Sequence, residues 1–142
     1  MTNSKKTSLG MFVQSVGMVE ALQQHCKHGG SFIDLGSGDG TVVRYARQFG
    51  VNAIGVEIDE ELWRLSLNLW PREVFIKGDF MQINLEGFDF AYYYVQGTEK
   101  EVELAEKLNR EFRGLLLVHQ GVVVQERLLE FTKLLKINYV VI

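Results

Sequence analysis

Short apolar runs alternate with amphipathic segments along most of the chain, and this alternation constrains the fold more than any other feature. "SFIDL" precedes "TVVRYARQF", whose Val42, Val43, Ala46 and Phe49 recur at helical spacing. "NAIGVEI" precedes "DEELWRLSLNLW", which opens on Asp59 as an N-cap, carries acids in its first turn and is stopped by Pro71. "EVFIKG" and "FDFAYYYV" read as the third and fourth strands. A helix over Glu99 to Glu111 follows, with Val102, Ala105, Leu108 and Phe112 marking its covered face. "GLLLVHQ" is a fifth strand, "QERLLEFTKLLK" a helix and "INYVVI" a last strand. A strand that returns to its sheet through a helix makes a right-handed crossover, so the strands run parallel. The near-continuous apolar character of "GLLLV" fits a strand covered on both faces. The expectation is an open α/β sheet, mostly parallel, with helices on both sides.

The chain has 142 residues, which suits one compact domain, with residues 1–8 a loose tail. Phe12, Val16, Val19 and Leu22 predict a first helix from about Phe12 to His25, ended by Gly29-Gly30. Nearly half the residues are apolar, which argues against disorder. The net charge of −3 gives no basic excess of the kind that holds a nucleic-acid backbone. No apolar run approaches the roughly 18 residues of a membrane span. The N-terminal Lys pair and apolar stretch look faintly like a signal peptide, but Gln14 and Glu20 interrupt it and no cleavage site follows. Cys26 is the only cysteine, which fits a reducing compartment. A cytoplasmic location is expected.

Within "SFIDLGSGDGTVVRYARQFGVNAIGVEID", three glycines alternate directly after the first strand. In open α/β sheets a ligand sits beyond the carboxyl ends of the strands, where the strand order reverses. Gly36, Ser37, Gly38, Asp39 and Gly40 form the loop at that place. Glu57 ends the second strand, where a carboxylate can accept two hydrogen bonds from ribose hydroxyls. A dinucleotide loop wants a small third residue and a helix N-terminus free for pyrophosphate. Here Thr41 takes the third position and Asp39 adds a negative charge. Both features count against a dinucleotide. Neither counts against S-adenosylmethionine, which has no phosphate and carries a sulfonium and an ammonium.

Asp34-Leu35-Gly36-Ser37-Gly38-Asp39-Gly40 resembles the first motif of class I S-adenosylmethionine-dependent methyltransferases. Val56-Glu57-Ile58-Asp59, Lys77-Gly78-Asp79-Phe80 and Phe88-Asp89-Phe90-Ala91 follow in that family's order. The resemblance covers about residues 30–120. "DLGSGDG" and "KGDF" are most similar to the small protein-lysine methyltransferases, archaeal and mitochondrial. The resemblance implies a Rossmann-like class I methyltransferase three-layer sandwich with strand order 3-2-1-4-5. Where that fold usually adds a hairpin, this chain has one strand beyond the fifth, a truncated C-terminal edge. The resemblance also implies S-adenosylmethionine as cofactor and methyl transfer to a protein lysine amine. A small-molecule or nucleic-acid acceptor, or a non-catalytic S-adenosylmethionine-binding module acting in a complex, are the other readings. By the same resemblance, Gly36 and Gly38, with Ser37 between them, make room for the cofactor. Asp34 orders the loop and faces the amino end, and Glu57 holds the ribose. Ile58 covers one adenine face, Asp79 accepts from the adenine amine and Phe80 packs on the ring.

The catalytic end is read from the fourth strand. Side chains alternate there, so Tyr92 and Tyr94 point one way and Tyr93 the other. Tyr94 lies nearest the strand end with Gln96 just beyond, so these two are the candidate catalytic residues; an aromatic face can stabilise a sulfonium or amine. His119, at the end of the fifth strand, faces either the acceptor or backbone. His25, Cys26 and His28 do not have the spacing of a zinc site, and no metal is expected. "INYVVI" carries no charge or proline to blunt an edge, so it should pair directly with "GLLLV" or support self-association.

Overall fold

The computed structural model describes residues 17–25 and 29–142. The expected tail over residues 1–8, and the expected roles of Phe12, Val16, Cys26 and His28, lie outside the described residues. Residues 17–25 are helical (α1). The strands are β1 (Ser31–Leu35), β2 (Asn52–Glu57), β3 (Val74–Lys77), β4 (Phe90–Tyr94), β5 (Leu115–His119) and β6 (Asn138–Val141). Between them run α2 (Thr41–Gln48), α3 (Glu60–Leu69), α4 (Lys100–Glu111) and α5 (Gln125–Thr132). All six strands are parallel, in the order β3-β2-β1-β4-β5-β6. The C-terminal strand is the edge of the sheet, as expected, and pairs directly and in parallel with β5, with Leu115 opposite Asn138 and Val118 opposite Val141. Direct pairing satisfies one side of this short strand, while Tyr139 and Val141 stay exposed.

Strand alternation sorts the core into two layers. Phe32, Ala53, Phe75, Phe90, Tyr92 and Leu117 face one side, against Met18 and Leu22 of α1 and Val42, Val43 and Ala46 of α2. Ile33, Leu35, Val56, Ala91, Tyr93, Leu116 and Val118 face the other, against Leu104 and Leu108 of α4 and Leu128 and Phe131 of α5. No helix joins β3 to β4. A single 3-10 turn at Phe80–Gln82 takes its place, leaving Val74 and Ile76 exposed and the end of β2 accessible from that side.

The Asp59 cap is present, its carboxylate accepting from the Leu62 amide at 3.1 Å, and α3 ends at Trp70 before Pro71. Three helical readings need correction. Phe49 is the C-cap of α2 and 38% exposed, because the helix stops one residue short of the pattern. Val102 is 50% exposed, since α4 buries Leu104, Ala105 and Leu108 together with the charged Glu101 and Lys107. The polar side chains of the buried stripe have partners: Lys107 pairs with Glu111 at 2.6 Å, and Glu101 accepts from the β4 end. Finally, α5 closes at Thr132 rather than continuing to Lys136.

Gly55 shows how tightly the first loop folds over β2. A Cβ on Gly55 would sit 2.5 Å from Ser37 Cβ and 3.0 Å from Val43 Cγ2. Overpacking of this kind costs about 1–3 kcal/mol. Gly55→Ala is therefore expected to lower unfolding stability by about that amount in urea titration, and Ser37→Gly in the same chain should recover part of it. Equal stability of Gly55→Ala and the parent chain would show that the loop is not held against β2.

Candidate active site at the carboxyl ends of the strands

The loop after β1 is fixed first by backbone. The amides of Gly36 and Ser37 both donate to the Val56 carbonyl at 2.9 Å. Glu57 then ties the loop down with its side chain. One carboxylate oxygen accepts from the Gly38 amide at 2.7 Å, and the other from the Asp59 amide at 2.9 Å. Gly38 adopts φ +55° with open space where a Cβ would be, so its backbone borders empty volume. Asp39 turns away to its own helix: its Oδ1 accepts from the Thr41 amide at 3.0 Å and the Thr41 hydroxyl at 2.6 Å. The Trp70 indole donates to the Asp39 carbonyl at 3.0 Å and anchors the loop from α3.

Beside this loop lies a cavity of about 380 Å³. Gly36, Glu57, Ile58, Asp79 and Phe80 all line it. Ile58 is 66% exposed, so it is not a core residue; it presents an apolar face to the cavity. Asp79 caps the 3-10 turn, its Oδ1 accepting from the Met81 amide at 2.9 Å. The Phe80 ring packs edge-on against Tyr93, with centroids 6.1 Å apart. Of the other expected site residues, Asp34, Ser37, Gly38, Tyr94 and Gln96 do not line this cavity.

Asp34 and Ser37 are buried and each has a side-chain oxygen without a partner, Asp34 Oδ1 and Ser37 Oγ. The expectation that Asp34 orders the loop is corrected here. The loop amide of Gly38 is held by Glu57, and Asp34 Oδ1 stays unpaired. Burial, and then the negative charges of Glu57 and Asp39, hold the Asp34 carboxyl well above its usual range. An unpaired buried carboxyl beside two further acids is a place for a cation.

Tyr94 is half-buried at the end of β4, its ring centroid 4.9 Å from that of His119. Gln96 is exposed, and its side-chain amide donates to the Tyr94 carbonyl at 3.2 Å. The turn carrying Gln96 is held by a residue the sequence did not single out. Glu101 Oε2 accepts from the Tyr93 hydroxyl at 2.6 Å and from the amides of Gln96 at 2.7 Å and Gly97 at 3.1 Å. Burial and the Glu101 contact raise the Tyr93 hydroxyl above its ordinary range, so it stays a donor. Lys100 and Glu103 of α4, also missed, form part of the cavity wall. In sequence all three look like the solvated face of a charged helix.

Several solved structures are similar in fold. One is an RNA methyltransferase from Salinibacter ruber in complex with S-adenosyl-L-homocysteine, 25% identical over 64% of this chain and 64% of that one, with a TM-score of 0.56. A second is an S-adenosylmethionine-dependent methyltransferase from Mesorhizobium loti, 22% identical over 66% of this chain and 47% of that one, TM-score 0.53. A third is a TehB-like S-adenosylmethionine-dependent methyltransferase from Corynebacterium glutamicum, 16% identical over 92% and 83% of the two chains, TM-score 0.63. This chain thus spans 64% and 47% of the length of the first two. No protein-family profile and no curated protein sequence matches it. The fold is the Rossmann-like α/β fold of class I methyltransferases.

The charge cluster gives a pH signature. A carboxyl whose folded pKa is raised contributes stability at low pH that is lost as pH rises through the folded value. Asp34→Asn removes this loss. The stability difference between Asp34→Asn and the parent, measured by thermal unfolding without ligand, should grow in the variant's favour as pH rises from about 4 toward 8. A difference that stays constant with pH would show that Asp34 titrates normally.

Proposed function

We propose that the chain is an S-adenosylmethionine-dependent methyltransferase domain acting on a protein lysine amine. The observation that carries the cofactor part is the cavity wall, where Gly36, Glu57, Ile58, Asp79 and Phe80 converge. These residues fit a nucleoside. Glu57 already accepts two amides, but a carboxylate has about four acceptor positions, so two remain for ribose hydroxyls. Exposed Ile58 and Phe80 offer apolar surface for the adenine faces, and Asp79 an acceptor for its amine. On the other side of the loop, Asp34 suits the ammonium of the methionine end, and the acids around it disfavour pyrophosphate. When bound, S-adenosylmethionine supplies a methyl group on a positively charged sulfur. The chain's own contribution is orientation and exclusion of water. Tyr94 and Gln96, at the end of β4, are placed in this reading at the acceptor side.

The lysine acceptor rests on the likeness of "DLGSGDG" and "KGDF" to small protein-lysine methyltransferases alone; the net charge of −3 counts only against a nucleic-acid acceptor. An RNA acceptor is the second reading, favoured by the Salinibacter ruber neighbour. Among the described residues no helix is long and apolar enough to cross a membrane.

Calorimetry tests the cofactor. S-adenosylhomocysteine should bind and NAD should not; NAD binding alone would reject the reading. Hydrogen bonds to a charged acceptor contribute about 1.5–3 kcal/mol each. Glu57→Ala should therefore weaken S-adenosylhomocysteine at least roughly tenfold, and it should also lower stability because Gly38 and Asp59 lose their acceptor. Unchanged affinity would remove Glu57 from the site.

A further inference from the structure

A second group of side chains lies outside the nucleoside cavity, and of it the cofactor reading uses only Asp34. Asp34, Tyr92, Tyr94 and His119 lie on the opposite face of the sheet from Tyr93 and Leu104, at the same end of the strands. In register, Asp34 of β1 neighbours Tyr92 of β4, and Tyr94 of β4 neighbours His119 of β5. The His119 ring lies against both tyrosines, with centroids 6.4 Å from Tyr92 and 4.9 Å from Tyr94. Tyr92 is 2% and His119 8% exposed. Yet the Tyr92 hydroxyl and His119 Nδ1 have no hydrogen-bond partner, and neither does Asp34 Oδ1 beside them. Buried polar groups are nearly always paired, because leaving one unpaired forfeits its hydration. Three unpaired groups along one strip point to a ligand that brings the missing partners.

The strip's chemistry selects the ligand. Its groups are an acid, two phenols and an imidazole, with no Lys or Arg among them. Burial lowers the imidazole from its usual range, and a hydrogen bond with the Ile142 backbone opposes that shift. The geometry shows His119 Nδ1 buried with no hydrogen-bond partner, the atom to which a donor can bring one. Such a strip accepts protons from a donor and flanks it with aromatic faces. A phosphate would meet hydroxyl donors there but no cationic side chain to balance its charge, and the neighbouring acid opposes it. At the rim, Gly121 at φ +64° lies over Tyr94, where a Cβ would come within 2.4 Å of the hydroxyl. Val122 and Val124 beside it are 70% and 61% exposed, apolar surface suited to an aliphatic stem.

We propose that Tyr92, Tyr94 and His119 form the acceptor end of the site, which takes a primary amine on an aliphatic stem, with His119 Nδ1 as the base that deprotonates it. This rests on the methyltransferase reading above and extends it from the cofactor to the acceptor. The ammonium gives one proton to Nδ1. The freed nitrogen lone pair then forms a bond to the methyl carbon of a sulfonium donor as the carbon–sulfur bond breaks, its electrons remaining on sulfur. The products are a methylated ammonium, a neutral thioether and protonated His119. The titratable groups facing His119 are Tyr92 and Tyr94, with Asp34 one strand further.

Imidazole nitrogen NMR on the whole chain, saturated with S-adenosylhomocysteine and titrated with Nα-acetyl-lysine methylamide, tests this. The His119 Nδ1 resonance should move saturably toward its protonated position, and cytidine should leave it in place. In His119→Gln the amine should bind roughly tenfold more weakly, as for a lost hydrogen bond to a charged group, with S-adenosylhomocysteine affinity within about twofold of the parent. A Nδ1 resonance indifferent to the amine, or one that responds to cytidine instead, overturns the proposal even if S-adenosylhomocysteine binds. Failure of S-adenosylhomocysteine to bind the parent chain overturns the cofactor reading itself, and this proposal with it.

Discussion

The site depends on the Glu57 carboxylate. It closes the end of β2 onto the loop after β1 by accepting the Gly38 amide, and it starts α3 by accepting the Asp59 amide. Two loops that would otherwise move separately are therefore fixed by one side chain, 7% exposed. The register of β1 on β2 brings Leu35 opposite Val56, so the loop leaves its strand level with Glu57. The Val56 carbonyl takes the next two amides, and the Asp39 carboxylate joins the end of the loop to α2 at Thr41. Glycine at alternate positions supplies the positive φ of Gly36, Gly38 and Gly40, while the Glu57 carboxylate and the Val56 carbonyl hold the loop against the neighbouring strand.

Both faces of the sheet meet at this end and differ in character. On the α4 side, the missing helix between β3 and β4 leaves a cavity with apolar walls and acceptors at its edges. On the α2 side, buried polar groups are unpaired and Asp34 is held toward its neutral form. The loop over Gly36 and Gly38 runs between the two. A ligand with an apolar, hydrogen-bonding end and a cationic end suits that division, because each end finds the environment that favours it. Arg44 and Arg47 pair with buried Glu73 at 3.1 and 2.5 Å and so tie α2 to the turn before β3, behind the loop.

Much of this was legible in the sequence because it follows from period and position. Strand alternation places Tyr92 and Tyr93 in opposite core layers, as the structure has them. The Asp59 cap and the Pro71 stop are local rules and hold. The parallel pairing of β6 follows from the helix before it. What failed depends on tertiary context. Glu101 and Lys107 sit on a helix whose pattern marks them as surface charges, but Glu101 is buried on partners brought by the end of β4, and Lys107 is buried with Glu111 of its own helix. Val102 lost its expected burial to that arrangement. The resemblance to class I methyltransferases implied that Asp34 orders the loop. Only the geometry assigns that work to Glu57, nineteen positions after Gly38.

The most direct test of the central claim is a crystal structure of the chain with S-adenosylhomocysteine. The account predicts the adenine between Ile58 and Phe80, its amine at Asp79, the ribose hydroxyls on Glu57, and the amino end at Asp34. A complex in which the nucleoside lies outside this cavity, with Glu57 still bound only to the Gly38 and Asp59 amides, would contradict it.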